Sequence, residues 1–196
     1  LENSTQAALS IFGKIDVLIN NGGISQRDLV VSTSFDVDQR LMNVNYLGTV
    51  KLTKHLLPHF IKQGSGDFIT VTSLVGKFGT PYRSSYSASK HALHGFFDSL
   101  RAEVTESGIK VMLVCPGFIK TNISINALTG SGKKLGEMDD AQANGMSVEI
   151  FAEKLFKAYE AGKEEVCIGG KETFGVLLKR FAPTHFSKMI AKAKVR

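Results

Sequence analysis

Four short apolar runs, separated by helix-length amphipathic segments, constrain the fold of this chain more than any other feature. Ile15–Ile19, Phe68–Thr72, Ile109–Val114 and Glu165–Ile168 read as strands. The second and third are apolar without strict alternation, as expected of strands covered on both faces. Between and around them, Glu2–Phe12, about Phe35 to Lys62, about Arg83 to Thr105 and Ser147 to about Tyr159 carry apolar residues at helical spacing. Strands that alternate with helices imply an α/β fold with a parallel sheet and right-handed crossovers. In such sheets, ligands bind at the carboxyl ends of the strands. Side chains that follow those ends therefore carry the functional argument.

Composition narrows the class. The chain has 196 residues, 43% of them apolar and 21% charged, which suits one globular domain. No apolar run approaches the roughly 20 residues that span a bilayer. The net charge of +6 is confined to the last segment, where residues 171–196 hold seven Lys and Arg against one acid, Glu172. The remainder is neutral on balance, so no nucleic-acid partner is indicated. Cys115 and Cys167 lie in separate apolar runs without metal-knuckle or CxxC spacing, and are expected to be buried thiols in a reducing, intracellular compartment, with no metal. The first residue is Leu1, so any targeting segment upstream is outside view.

Local signals refine the elements. Thr33 with Asp36 predicts a capping box for the long helix, whose Tyr46, Val50, Leu57, Phe60 and Ile61 form one stripe and Leu41, Leu52 and Leu56 another. Two stripes require cover on two sides, by the sheet and by another helix or subunit. Asn45 and Gly48 are poor helix formers within it. Residues 122–146 contain Gly130, Gly132, Gly136 and Gly145; this segment is a candidate lid over a site. Ser147 is a plausible cap for the helix that follows.

The helix around Tyr86-Ser87-Ala88-Ser89-Lys90 poses the first chemical question. Leu93, Phe97, Leu100 and Val104 mark its buried stripe, and Tyr86 and Lys90 fall on that stripe. A lysine there either snorkels out or is held by polar partners, since unpaired burial of its charge is costly. At i, i+4 its ammonium lies beside the Tyr86 phenol. A neighbouring cation favours phenolate and would bring the tyrosine pKa down toward the working range of a general acid/base. Ser73 ends the preceding strand and can reach the same edge. Asn20-Asn21-Gly22-Gly23 follows the first strand and Pro116-Gly117-Phe118-Ile119-Lys120-Thr121 the third, also at that edge. Each alone reads as a turn or a strand terminator; together they converge on one place.

These residues resemble the motifs of the short-chain dehydrogenase/reductase family over essentially Ile15 to Tyr159. Asn20-Asn21-Gly22-Gly23 resembles NNAG, Asn45-Tyr46-Leu47-Gly48 resembles NxxG, Tyr86 and Lys90 the YxxxK pair, and Pro116 to Thr121 the PGxxxT segment. Asn20 to Arg27, Asn45 to Val50, Asn126 to Gly130 and the basic tail are similar to the family's member 7 branch. The resemblance implies a doubly wound, Rossmann-like sheet and NAD(P)-dependent hydride transfer, with NADP slightly preferred, to or from a lipophilic carbonyl or secondary alcohol. Asn45, Ser73, Tyr86 and Lys90 would be catalytic. Tyr86 would exchange the proton, Ser73 orient the substrate oxygen, Lys90 bind the nicotinamide ribose and Asn45 hold a water linked to Lys90. Asn20, Gly22, Tyr86, Lys90, Pro116, Gly117, Ile119 and Thr121 would contact the cofactor. Ile123, Ile125, Leu128 and Met146 would line an apolar pocket.

The family's glycine-rich pyrophosphate loop is not among these residues, which implies that the sequence is the carboxyl two-thirds of such an enzyme: residues 1–170 a partial domain, residues 171–196 its basic amphipathic tail. The strand at Ile15–Ile19 would then form an apolar sheet edge. A non-catalytic binding or scaffold chain is the alternative function. The long helix and the helix after Tyr86 resemble a dimer-forming pair, giving a homodimer or homotetramer. In the tail, Phe174, Leu177, Leu178 and Phe181, then Phe186, Met189 and Ile190, keep helical spacing among Lys179, Arg180, Lys188, Lys192, Lys194 and Arg196. Such a tail either packs on its own domain or makes a peripheral contact with an anionic membrane surface, which would place the protein in the cytoplasm or on a cytosolic membrane face.

Overall fold

The computed structural model describes residues 2–193; Leu1, Lys194 and Arg196, which enter the readings above, lie outside the described residues. Helix α1 (Glu2–Phe12) leads to β1 (Val17–Asn20), and α2 (Phe35–Leu41), a π-helical segment (Met42–Leu47) and α3 (Gly48–Gln63) lead to β2 (Gly66–Val71). Helix α4 (Ser84–Glu103) precedes β3 (Ile109–Pro116), and a short α5 (Asp140–Ala143) and α6 (Val148–Glu160) precede β4 (Glu165–Ile168). The tail forms α7 (Phe174–Phe181) and α8 (Pro183–Ile190). The four strands are parallel in the order β1-β2-β3-β4, so successive connections cross over and all carboxyl ends face one way.

Apolar side chains alternate across the sheet and fill two layers. On one face, Phe68, Val111 and Leu113 pack with Leu56 and Phe60 of α3 and Leu93, Phe97 and Leu100 of α4. On the other, Ile69, Met112 and Val114 pack with Phe151 and Leu155 of α6. β1 forms one edge of the sheet, where Ile19 stays 53% exposed, in line with the apolar edge expected from the sequence.

Three expectations are modified. The long helix runs over the expected span but its middle widens into a π turn at Met42–Leu47, where Asn45 sits. Its cap is Ser34 rather than a Thr33–Asp36 box, and makes no side-chain cap bond; the Thr33 hydroxyl instead donates to the Leu29 carbonyl and accepts from Gln26 Nε2. The segment 122–146 covers the site but is strapped down. Leu128 N–H donates to Ser25 O and Arg27 N–H to Leu128 O, both at 2.8 Å, and Gly130 N–H donates to Asp28 Oδ2 at 2.9 Å. Ser147 does cap α6, accepting from Ile150 N–H at 3.3 Å. The tail packs on its own domain, with Phe186 buried against Phe78 at a ring separation of 5.0 Å. No helix among the described residues is long and apolar enough to cross a membrane.

The turn between α4 and β3 depends on Gly108, whose φ of +67° favours glycine and whose missing Cβ would collide with the Gly64 carbonyl oxygen. Gly108→Ala is expected to destabilise the fold by about 2–4 kcal/mol, combining left-handed strain with overpacking, in a urea unfolding titration.

Candidate active site

The π turn decides where Asn45 points. The i→i+5 bonding of this segment widens the helix where Asn45 stands, and Asn45 is fully buried. Its Oδ1 accepts from Ile24 N–H at 2.8 Å, and its Nδ2 donates to Ile24 O and to Ser89 Oγ, each at 2.9 Å. The amide therefore ties the loop after β1 to α4. In that loop Gly23 is the close neighbour: a Cβ there would stand 3.2 Å from Asn45 Oδ1 and 3.5 Å from Lys90 Nζ. Glycine lets the backbone pass beside the lysine.

Lys90 is 4% exposed and does not snorkel. Its ammonium donates to Val71 O at 3.0 Å and lies 5.8 Å from the centre of the Tyr86 ring. Burial lowers its pKa from the usual 10.5 to about 8. Ser73, at the exit of β2, lines the same cavity as Tyr86, and its hydroxyl accepts from Val75 N–H at 3.3 Å. The Tyr86 phenol is raised above its ordinary value because burial outweighs three opposing influences: Arg27, the Ser73 hydroxyl and Arg83. The expectation that Lys90 depresses Tyr86 is thus corrected. The lysine is itself short of solvation, and the cations acting on the phenol are arginines.

Those arginines carry no spacing signal in the sequence. Arg27 Nε and Arg83 Nη2 both bond Asp139 Oδ2, at 2.9 and 3.0 Å, and all three residues are buried. Arg27 also donates to Ser25 Oγ and to Gln26 O. Two guanidiniums about one carboxylate leave a positive field beside Tyr86, and Arg83 is lowered to about 10, first by burial and then by Arg27. Asp139 comes from the strap, so only the folded chain brings the three together.

A cavity of about 820 Å³ opens at the carboxyl edge of the sheet. Ser73, Tyr86, Lys90, Pro116, Gly117, Ile119 and Thr121 line it, as expected, together with Gly23, Arg27 and Arg83. Asn20 and Gly22 do not. Asn20 Nδ2 instead joins Thr53 and Thr70 hydroxyls at 3.3 Å, bracing β1 against α3 and β2. Asn45 lies behind Gly23 and acts through position. Of the expected apolar lining, Ile123 is present, whereas Leu128 packs on Val37 and Leu41 and Met146 on the α6 layer, and Ile125 is not part of the wall. Val75, Phe78, Phe151, Phe174, Leu178 and Met189 supply it instead, several of them from the tail.

The sequence model of the family described as short chain dehydrogenase matches residues 1–131. The chain belongs to the short-chain dehydrogenase/reductase family. Within the family it falls in the member 7 branch: it is 43% identical to the dehydrogenase/reductase SDR family protein 7-like of Drosophila melanogaster over 96% of this chain and 58% of that protein. The chain spans about three-fifths of the length of the curated relatives it matches. Among solved family structures, ElxO with NADP bound is 34% identical, with a TM-score of 0.59 over 61% of this chain and 48% of that one. A short chain dehydrogenase from Burkholderia cenocepacia in complex with NADP shares the fold, with 24% identity and a TM-score of 0.80 over 98% of this chain and 76% of that one. The fold is thus the Rossmann-like α/β sheet of short-chain dehydrogenases, and the family is one of oxidoreductases.

The buried Lys90 makes stability depend on pH in a defined direction. Between about 8 and 10.5 the unfolded chain holds the lysine proton and the folded chain has released it, so raising pH through this window favours the folded state. The gain is of order 3 kcal/mol. Denaturant unfolding across this window should show it in the wild type and not in Lys90→Met.

Proposed function

We propose that this chain is the catalytic part of an NAD(P)-dependent oxidoreductase that interconverts a lipophilic carbonyl and a secondary alcohol, with NADP, the ligand bound in ElxO, as the preferred cofactor. The observation that carries the reading is that Ser73, Tyr86 and the buried ammonium of Lys90 line one cavity at the carboxyl edge of the sheet. A purely structural tyrosine and lysine would not be paired with a serine at the ligand-binding edge of the sheet.

The residues present fit a nicotinamide nucleotide. An ammonium has three donors, and Val71 O takes one from Lys90, which leaves capacity for a ribose diol. Gly23 keeps the approach to that ammonium clear of a side chain. Pro116, Gly117, Ile119 and Thr121 form the opposite wall, with the Ile119 carbonyl and the Thr121 hydroxyl both facing Gln142 Nε2. When bound, the cofactor supplies or accepts the hydride; binding, orientation and proton transfer fall to the protein.

Ser73 holds the substrate oxygen by hydrogen bonding, and Tyr86 delivers its proton to that oxygen in reduction or removes it in oxidation. Arg27 and Arg83 stabilise the phenolate left after proton delivery, opposing the burial that keeps the resting phenol protonated. Lys90 binds and positions. Asn45 fixes the β1 loop against α4 and so sets the spacing between Gly23 and Lys90. The apolar wall from Phe78, Phe151 and the tail helices favours a substrate with a sizeable apolar body.

In the intact protein, Tyr86→Phe should lower carbonyl-dependent NADPH oxidation by about 100-fold or more while leaving the melting temperature near that of wild type. Full activity in that variant would reject the assignment. The exposed Val44, Leu47 and Ile61 on the outer helices support a homodimer or homotetramer. Light scattering should give a multiple of the chain mass, and a monomer would argue against assembly through this face.

A further inference from the structure

Strand pairing creates a second cluster of reactive groups, on the α4 side of the sheet. β3 and β4 pair with Leu113 opposite Glu165 and Cys115 opposite Cys167. Side chains two residues apart share a face, so both thiols and the carboxylate point the same way. The reading of the cysteines as buried thiols in separate apolar runs is therefore revised: they stand opposite one another across β3 and β4, and Cys167 is only half-buried. Helix α4 lays His94 over them, with Nε2 at 3.7 Å from Cys115 Sγ and Nδ1 at 3.5 Å from Glu165 Oε2.

We propose that His94, Cys115, Glu165 and Cys167 form a binding site for a thiophilic divalent cation of the Zn²⁺ class. Ligand atoms of His94, Cys115 and Glu165 already lie within 4.8 Å of one another, and Cys167 stands opposite Cys115 in the strand register, on the same face. Zinc bonds of roughly 2.0–2.3 Å need ligand separations of roughly 3.3–3.8 Å, so small side-chain shifts suffice. Two sulfurs, an imidazole and a carboxylate suit zinc rather than the hard cations calcium and magnesium.

The imidazole is arranged for this role. Nε2 lies 3.1 Å from the Thr72 hydroxyl, which in turn donates to Val114 O at 3.0 Å. With the Nε2 proton on Thr72, Nδ1 is left as the lone-pair nitrogen, and this buried atom makes no hydrogen bond. A ligating histidine commonly anchors its other ring nitrogen in this way. Binding releases the two thiol protons to solvent and forms two metal–thiolate bonds, with no change of oxidation state. Lys77 Nζ, 2.5 Å from Glu165 Oε2, competes with the metal for that carboxylate.

The test is a Co²⁺ titration of the reduced, metal-stripped full chain. Thiolate-to-cobalt charge transfer and tetrahedral d–d bands are expected, and equimolar Zn²⁺ should abolish them. Both should disappear in Cys167→Ser and His94→Gln, Thr72→Val should weaken binding about ten- to a hundred-fold, and Lys77→Met should tighten it. Zn²⁺ should raise the melting temperature of the wild type but not of Cys167→Ser, which separates lost binding from lost folding. Absence of the bands in folded wild type, or bands unchanged in His94→Gln, would overturn the site. So would a reduced protein that ignores metal yet forms a Cys115–Cys167 disulfide when treated with peroxide, since the pair would then be a redox couple.

Discussion

The side-chain amide of Asn45 is the joint on which the geometry of the site depends. A polar residue can enter a protein interior only when its donors and acceptors are met, and here the main chain of Ile24 and the Ser89 hydroxyl meet them. The helix gives up regular spacing to make this possible, widening into a π turn where the amide projects. In return the loop after β1 is fixed against α4. Gly23, Lys90 and Tyr86 keep their separations because this one group bridges the elements that carry them.

Around that joint the protein concentrates charge in a place where charge is expensive. Lys90, Arg27 and Arg83 are all buried, and the Asp139 carboxylate bonds both arginines. The consequences for Tyr86 oppose one another. Loss of solvent favours the neutral phenol, whereas the two guanidiniums and Ser73 favour its anion. A residue held between such influences can stay protonated at rest and still give up its proton once an acceptor is in place. The cost falls on stability, as the depressed pKa of Lys90 records.

Much of this was legible in the sequence, for identifiable reasons. Period-two and period-3.6 patterns depend on neighbouring residues, so the four strands, α1, α4 and α6 could be placed within a few residues. Tyr86 and Lys90 were recoverable because a helical stripe of Leu93, Phe97 and Leu100 betrays what shares it. Other features were not. Thr33 has the right spacing for a capping box, yet its hydroxyl finds partners in Leu29 and Gln26 instead. Asn20 stands in a motif that suggests ligand contact, yet the packing of β1 on α3 and β2 claims its amide. Arg27, Arg83 and Asp139 are separated by long stretches of chain, and the cross-strand placement of Cys115 against Cys167 exists only once β3 and β4 pair. Spacing reports local geometry; register between distant segments does not appear in it.

Glu172 links the tail to the cavity more directly than packing alone. One carboxylate oxygen accepts from Phe118 N–H at 3.1 Å and from Gly170 N–H at 2.9 Å, so the exit of β3 and the entry to α7 share a single anchor. Tail helices α7 and α8 also wall the cavity through Phe174, Leu178 and Met189. The basic tail and the binding chamber therefore form one mechanical circuit. A displacement of α7 would therefore move the segment at Phe118 and the chamber wall together, without passing through the sheet.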